Sequence, residues 1–166
     1  TFLRAPLNYR RISSRYSGRR YHPVQKKYKA HLGTDYAAAK GTPIHSVGEG
    51  VVVEAKYGRH NGNYVKIKHS STYSTQYLHM QKIKRGIKPG VQVEQGQTIG
   101  FVGSTGLATG PHLCFRFWKN NKQVDVLKVD LPPSDPINPQ TLIDFLHEKN
   151  RIIKKLEQLS FIAPYA

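Results

Sequence analysis

This chain has little cysteine, little acid and no long apolar run. One cysteine in 166 residues, Cys114, excludes an intrachain disulfide framework. Ten Asp and Glu stand against 26 Lys and Arg, a formal charge of +16, and such a surface attracts polyanions over a Debye length of about 8 Å at physiological salt. The basic residues are spread along the chain, and no helix-turn-helix, zinc-finger or RNP-like motif organises them, so specific nucleic-acid reading is not expected. Anionic polymers of a cell envelope and phospholipid head groups feel the same attraction, and a cationic surface also serves solubility alone. No apolar run approaches the roughly 20 residues that cross a bilayer as a helix. Thr1 to Pro6 contain neither an apolar signal core nor an initiating Met, as expected of a mature or trimmed chain.

What is present is a globular composition. With 38% hydrophobic residues, ten Tyr, six Phe and one Trp, there is material for one ordinary domain and an appended element. Turn formers divide the chain into short β segments. Strands are expected near Arg11 to Ser14, Gly50 to Ala55, Asn63 to His69, Thr72 to His79, Thr98 to Val102 and His112 to Trp118, an antiparallel organisation. The stretch after Ser14 reads as a loop, and Tyr57 to Asn63 as a hairpin loop. Alternation over His112 to Trp118 sends Leu113, Phe115 and Phe117 to one face and His112, Cys114, Arg116 and Trp118 to the other. By the same rule Tyr73, Thr75, Tyr77 and His79 share a side. Leu131-Pro132-Pro133-Ser134-Asp135-Pro136 is extended, and Pro139 through Leu159 has helical spacing with Asn138 as N-cap. Two parts are therefore expected: residues 1–130 as a β domain, and 131–166 as an extended segment and an amphipathic helix packed on the domain or on a region outside this chain.

The chemistry concentrates in His31-Leu32-Gly33-Thr34-Asp35 and Gly110-Pro111-His112-Leu113-Cys114. These segments hold four potential metal ligands. In an extended chain His31 and Asp35, an even number of residues apart, point the same way, as do His112 and Cys114. Imidazole, carboxylate and thiolate together favour zinc, and thiolate argues against magnesium or calcium. Gly103-Ser104-Thr105-Gly106 supplies a flexible or tightly turned loop beside the proposed ion. The other histidines, His22, His45, His60, His69 and His147, are expected on the surface or in turns. Phe117 and Trp118 are expected to pack rather than to stack on sugars.

His31-x-x-x-Asp35, Tyr77-Leu78-His79, Gly103-Ser104-Thr105-Gly106 and Gly110-Pro111-His112-Leu113 occur in that order, with Gly41-Thr42-Pro43 and Gln95-Gly96-Gln97-Thr98-Ile99-Gly100 between them. This series resembles the motifs of the lysostaphin-like, LytM-domain zinc metallopeptidases that cut peptidoglycan, over about Ser13 to Trp118. The resemblance implies a mainly β fold of the duplicated-hybrid type, a compact antiparallel sheet with a groove across it. It further implies Zn2+ held by His31, Asp35 and Cys114, with His79 and His112 beside it as catalytic histidines. His112 is expected to take the larger share of water activation and His79 the transition-state contact. The implied substrate is an amide bond in peptidoglycan stems or cross-links, cut by a monomer in the periplasm or outside the cell.

One position departs from the family pattern. Where His-x-His is usual, this chain reads His112-Leu113-Cys114. Thiolate binds zinc well, but with Asp35 it brings two negative charges to the ion. Weaker Lewis acidity and a higher pKa of bound water are expected, each pKa unit amounting to about 1.4 kcal/mol. Slower or more alkaline hydrolysis follows. The alternative is a domain that no longer cuts but binds wall material or regulates a partner hydrolase; only one site residue differs from the pattern, and it remains a zinc ligand.

Overall fold

A computed structural model of the chain describes residues 2–3, 5–22, 26–131 and 138–160. The strands are β1 (Arg11–Ser14), β2 (Ser17–His22), β3 (Lys27–His31), β4 (Thr34–Ala37), β5 (Pro43–His45), β6 (Gly50–Gly58), β7 (Gly62–Lys68), β8 (Tyr73–Ile83), β9 (Gln92–Val93), β10 (Thr98–Val102), β11 (His112–Lys119) and β12 (Lys122–Val124), followed by α1 (Pro139–Ser160). A ten-stranded antiparallel sheet runs β1-β4-β11-β8-β7-β6-β9, with β10 joining β8 to β5 and β12 paired on β11. The antiparallel β class expected from the turn spacing is the class observed. The segment after Ser14 is not a loop, however: β2 and β3 pair as a separate two-stranded sheet. Its mixture of Arg, Tyr and Ser has no alternating burial because both faces are largely exposed, and that removed the signal.

The core forms where strands with alternating apolar residues face each other. Tyr36, Ile44, Val65, Ile67, Tyr77, Ile99, Leu113, Phe115 and Phe117 are each at most 2% exposed, and each such aliphatic or Phe side chain contributes about 1.5–3 kcal/mol by leaving water. Tyr77 can be fully buried because its hydroxyl is satisfied, accepting from Val47 N at 3.0 Å and from Thr75 Oγ1 at 3.1 Å. Phe2 caps the cluster, its ring 5.5 Å from those of Tyr73 and Phe117.

Strict alternation along β8 would turn His79 into the core row of Tyr77. It faces the groove instead, because Tyr64 of β7 is opposed by two residues, Leu78 and His79, in a β-bulge between the Asn63–Met80 and Val65–Tyr77 pairs. His79 takes φ 64° there, a conformation that His adopts more readily than branched residues. The expected common side for Tyr73, Thr75, Tyr77 and His79 is thus corrected: Thr75 and Tyr77 lie in the core, and the bulge turns His79 out of their row.

The chain divides into two compact units, Thr1–Pro132 and Pro133–Ala166. In the second, the Asn138 carbonyl accepts the first helical bond, from Leu142 N at 2.9 Å, the N-cap position. Leu142, Phe145, Leu146, Ile152, Ile153 and Leu156 on this helix are 40–60% exposed.

Candidate metal centre

β3 ends at His31 and β4 begins at Thr34, with a bend at Leu32 and Gly33 between them. A Cβ on Gly33 would lie 2.9 Å from the Phe115 carbonyl and 3.1 Å from Cys114 Sγ, so glycine is what lets the bend pass this close to β11. His31 and Asp35 therefore reach the site from two strands joined by a bend, not from one face of a single strand as the even spacing alone implied. Asp35 then pairs directly across from Cys114 in the β4–β11 ladder.

The three side chains converge. His31 Nε2 lies 2.9 Å from Asp35 Oδ1 and 3.6 Å from Cys114 Sγ, and one ligand atom from each falls within 4.8 Å of the others. All three residues are buried, at 8%, 7% and 3% exposure. Cys114 shares a small apolar cluster with Tyr64 and Leu78, yet its sulfur faces the other two donors rather than being sealed from them.

Protons decide what this cluster can hold. His31 Nδ1 donates to the Arg15 carbonyl at 3.0 Å, so in the neutral ring Nε2 carries only a lone pair. That lone pair faces Asp35 Oδ1, which is buried and accepts no well-aligned hydrogen bond despite the 2.9 Å approach. Two acceptors so close need a cation between them. In the protonated ring that cation is a proton: burial would raise the Asp35 pKa, but hydrogen bonding and charge from His31, the charge of His112 and a hydrogen bond from Cys114 together hold it below the ordinary carboxylate value. For the Cys114 thiol, burial first and then the Asp35 charge push the pKa well up, while Arg116 works against them. A divalent ion relieves both conflicts at once. The 2.9 and 3.6 Å separations are near the roughly 3.3–3.6 Å edges of a tetrahedron with zinc-type bond lengths, and the imidazole, carboxylate and thiolate set suits zinc rather than magnesium or calcium.

Two further histidines stand beside the cluster, their rings 4.8 Å apart. His79 Nδ1 donates to the Thr105 carbonyl at 2.8 Å, and His112 Nδ1 to the Gly110 carbonyl at 2.8 Å. Each neutral ring therefore presents Nε2 as an acceptor, and His112 Nε2 is 4.0 Å from Asp35 Oδ1. Burial lowers the His79 pKa to about 4, so this ring is neutral at physiological pH.

The loop carrying Thr105 is tightly turned. Thr105 Oγ1 accepts from Asn63 N at 2.9 Å and donates to the Met80 carbonyl at 2.7 Å. Gly62, at φ 65°, and Gly106, at φ 75°, press so closely that a Cβ on Gly62 would overlap Thr105 and one on Gly106 would overlap Gly62. The glycine-rich text was legible, but not that it clamps the backbone acceptor of His79.

A groove of about 410 Å³ opens over the cluster. It includes His31, Asp35, His79, His112 and Cys114, and four cations that motif reasoning passed over: Arg11, Arg20, Lys29 and Arg116. Arg20 bonds Ser14 Oγ at 2.6 Å and lies 3.7 Å from Asp35 Oδ2. Arg116 was placed on the chemical face of β11 by alternation, yet nothing in its spacing assigned it a task. His60, expected as a surface residue, also lines the groove. His69 is a partly buried structural residue, bonded to the Glu49 carbonyl and Thr75 Oγ1, while the His22 side chain lies outside the described residues. Phe117 packs in the core, and Trp118 carries Lys66 Nζ 4.8 Å from its ring centre.

Comparison with known proteins agrees with this geometry. Peptidoglycan DD-endopeptidase ShyC of Vibrio cholerae is 46% identical over 96% of this chain and 36% of its own length. The chain spans about a third of the curated relatives it matches. The crystal structure of a zinc-containing peptidase from Vibrio cholerae superposes with a TM-score of 0.72 at 43% identity, over 79% of this chain and 40% of that one. The catalytic domain of lysostaphin from Staphylococcus simulans gives a TM-score of 0.61 at 28% identity, over 70% of this chain and 89% of that domain. The model of Peptidase family M23 matches residues 29–126, the span that carries every donor and both flanking histidines, and the chain belongs to that family.

Proposed function

We propose that the chain is the catalytic part of a zinc-dependent endopeptidase that hydrolyses amide bonds in peptidoglycan stems or cross-links. The observation that carries this reading is the convergence of the His31, Asp35 and Cys114 donors on one point, beside two histidines whose Nε2 lone pairs face the same groove. When bound, zinc supplies a Lewis acid that polarises the scissile carbonyl and makes water a competent nucleophile near neutral pH. Relatives named for peptidoglycan endopeptidase activity support the substrate, as does a groove rimmed by Arg11, Arg20 and Lys29 that suits a carboxylate-bearing peptide.

Among the chain's own groups, His112 Nε2 is the proton acceptor. That nitrogen lies 4.0 Å from Asp35 Oδ1, so a proton taken there is held near a carboxylate, and the ring then has an N–H to return to the leaving amine. His79 is better suited to orienting water than to the oxyanion contact expected from the family resemblance. That contact needs an Nε2–H, hence a cationic ring, which burial disfavours; the neutral ring accepts a hydrogen bond from the attacking water instead. The non-cutting alternative is not favoured, because a binding module has no need of three donors and two fixed tautomers.

The protein acts in the bacterial envelope, where its substrate lies; no described helix is long and apolar enough to cross a membrane. The half-exposed apolar residues of α1 support the two-part organisation, with the helix in a unit of its own. Incubation of purified sacculi with the protein should release muropeptides, stop on chelation and resume on adding zinc. Release that ignores chelation, or none at any zinc concentration and pH, overturns the reading.

A further inference from the structure

We propose that Arg116 is a specificity residue that receives a free carboxylate of the substrate next to the scissile amide. This inference rests on the peptidase reading and deepens it. The groove's charge is one-sided: among the described residues lining it, Arg11, Arg20, Lys29 and Arg116 are cationic and Asp35 is the only carboxylate. Asp35 is already committed, through Oδ1 to the metal cluster and through Oδ2 to Arg20. Among the described residues Arg116 faces no carboxylate of its own there; its guanidinium lies by the Cys114 sulfur, and its Nε is buried with no hydrogen-bond partner. One sulfur meets only part of a guanidinium's five donors, and the remainder gain from an incoming anion.

Its position defines what the anion belongs to. His112, Cys114 and Arg116 follow one another along the same face of β11, so Arg116 lies on the far side of the metal cluster from His112. Two residues of strand span about 7 Å, a distance that one or two residues of an extended peptide cover. A hypothetical Cβ on Gly33 would touch Arg116 Cγ at 3.0 Å and Cys114 Sγ at 3.1 Å, so the Arg116 stem lies against the Gly33 bend at the floor of the site. A planar guanidinium held this way matches a carboxylate with two parallel hydrogen bonds and matches a neutral amide poorly. The chemical class is a peptide with a free carboxylate within about two residues of the cleaved bond, either a terminal α-carboxylate or the side-chain carboxylate of a diamino acid.

The test uses synthetic stem peptides in three forms: free acid, C-terminal amide, and amide at the diamino acid's side-chain carboxylate. Binding to the chelator-treated protein is measured by calorimetry, and kcat/KM on the zinc-loaded protein. The free acid should bind and react about 10- to 100-fold better than the amide at whichever carboxylate is read, and the two amides identify which one that is. In Arg116→Gln the preference should shrink to within about twofold, the limit for groups that do not interact, while Arg116→Lys should keep part of it because the charge remains. An undiminished preference in Arg116→Gln, equal treatment of all three peptides by the unsubstituted protein, or no binding of any peptide overturns the assignment. Equal cleavage of acid and amides, stopped by chelation, removes the role of Arg116 and leaves the zinc peptidase standing. Loss of zinc in Arg116→Gln with the preference intact would mean that the guanidinium serves Cys114 instead.

Discussion

The neutral state of His79 makes a quantitative prediction about folding. Burial holds its pKa at about 4 in the folded chain against the ordinary 6.5, and the side chain is only 7% exposed. Between those two values the unfolded chain binds a proton that the folded chain refuses. Stability from this group is therefore complete above pH 6.5, falls as the pH drops through that value, and stops falling below about pH 4. The shift amounts to about 3 kcal/mol in full, and about 2 kcal/mol of it is lost between pH 7.5 and pH 5. The assay is urea unfolding of the metal-free protein at those two pH values. His79→Asn is the comparison, since Asn tolerates the left-handed backbone at φ 64° and does not titrate. The unsubstituted protein should lose about 2 kcal/mol more than the variant on acidification. His69, also lowered by burial, contributes to both and cancels. Equal losses in the two proteins would refute the argument that burial keeps the His79 ring uncharged.

Two further outcomes follow from the geometry. Gly62→Ala forces a Cβ into Thr105 at a left-handed residue, so thermal or urea unfolding should give a loss of about 1–3 kcal/mol from overpacking on top of about 1–2 from the backbone. Gly86→Ala, at φ 90° with nothing within 4 Å, should cost only the backbone part. Cys114→Ala should abolish stoichiometric zinc in elemental analysis while Cys114→His retains it; equal zinc in the unsubstituted and alanine proteins would remove the sulfur from the ligand set.

Much of the β architecture was legible because turn residues and alternation report on sheets with one buried face. Leu113, Phe115 and Phe117 declared β11 in this way. The β2–β3 pair was not legible, since Arg19, Arg20, Tyr21, Tyr28 and Lys29 present no apolar face to read. At the site, the donors were found by residue type and motif, but the route by which they meet was not. Spacing placed His31 and Asp35 on one face, whereas the bend at Gly33 brings them together; parity put His79 on the same side as Tyr77, whereas a single-residue bulge turns it to the groove. Bulges and bends depend on partner strands remote in sequence, so local periodicity carries no trace of them. The carbonyls of Arg15, Thr105 and Gly110 that fix three imidazole tautomers were equally hidden, because every residue has a carbonyl and only tertiary structure selects which ones serve.

The register of β11 has a consequence for how this sequence can vary. Phe115 and Phe117 fill the interior from the same short run that delivers His112, Cys114 and Arg116 to the groove. Deleting or inserting one residue between His112 and Phe117 would exchange the two sets, sending charged groups inward and rings into solvent. The length of this segment is therefore constrained as tightly as its composition: substitutions here can be graded and survivable, while a single-codon change in length would abolish folding and chemistry together.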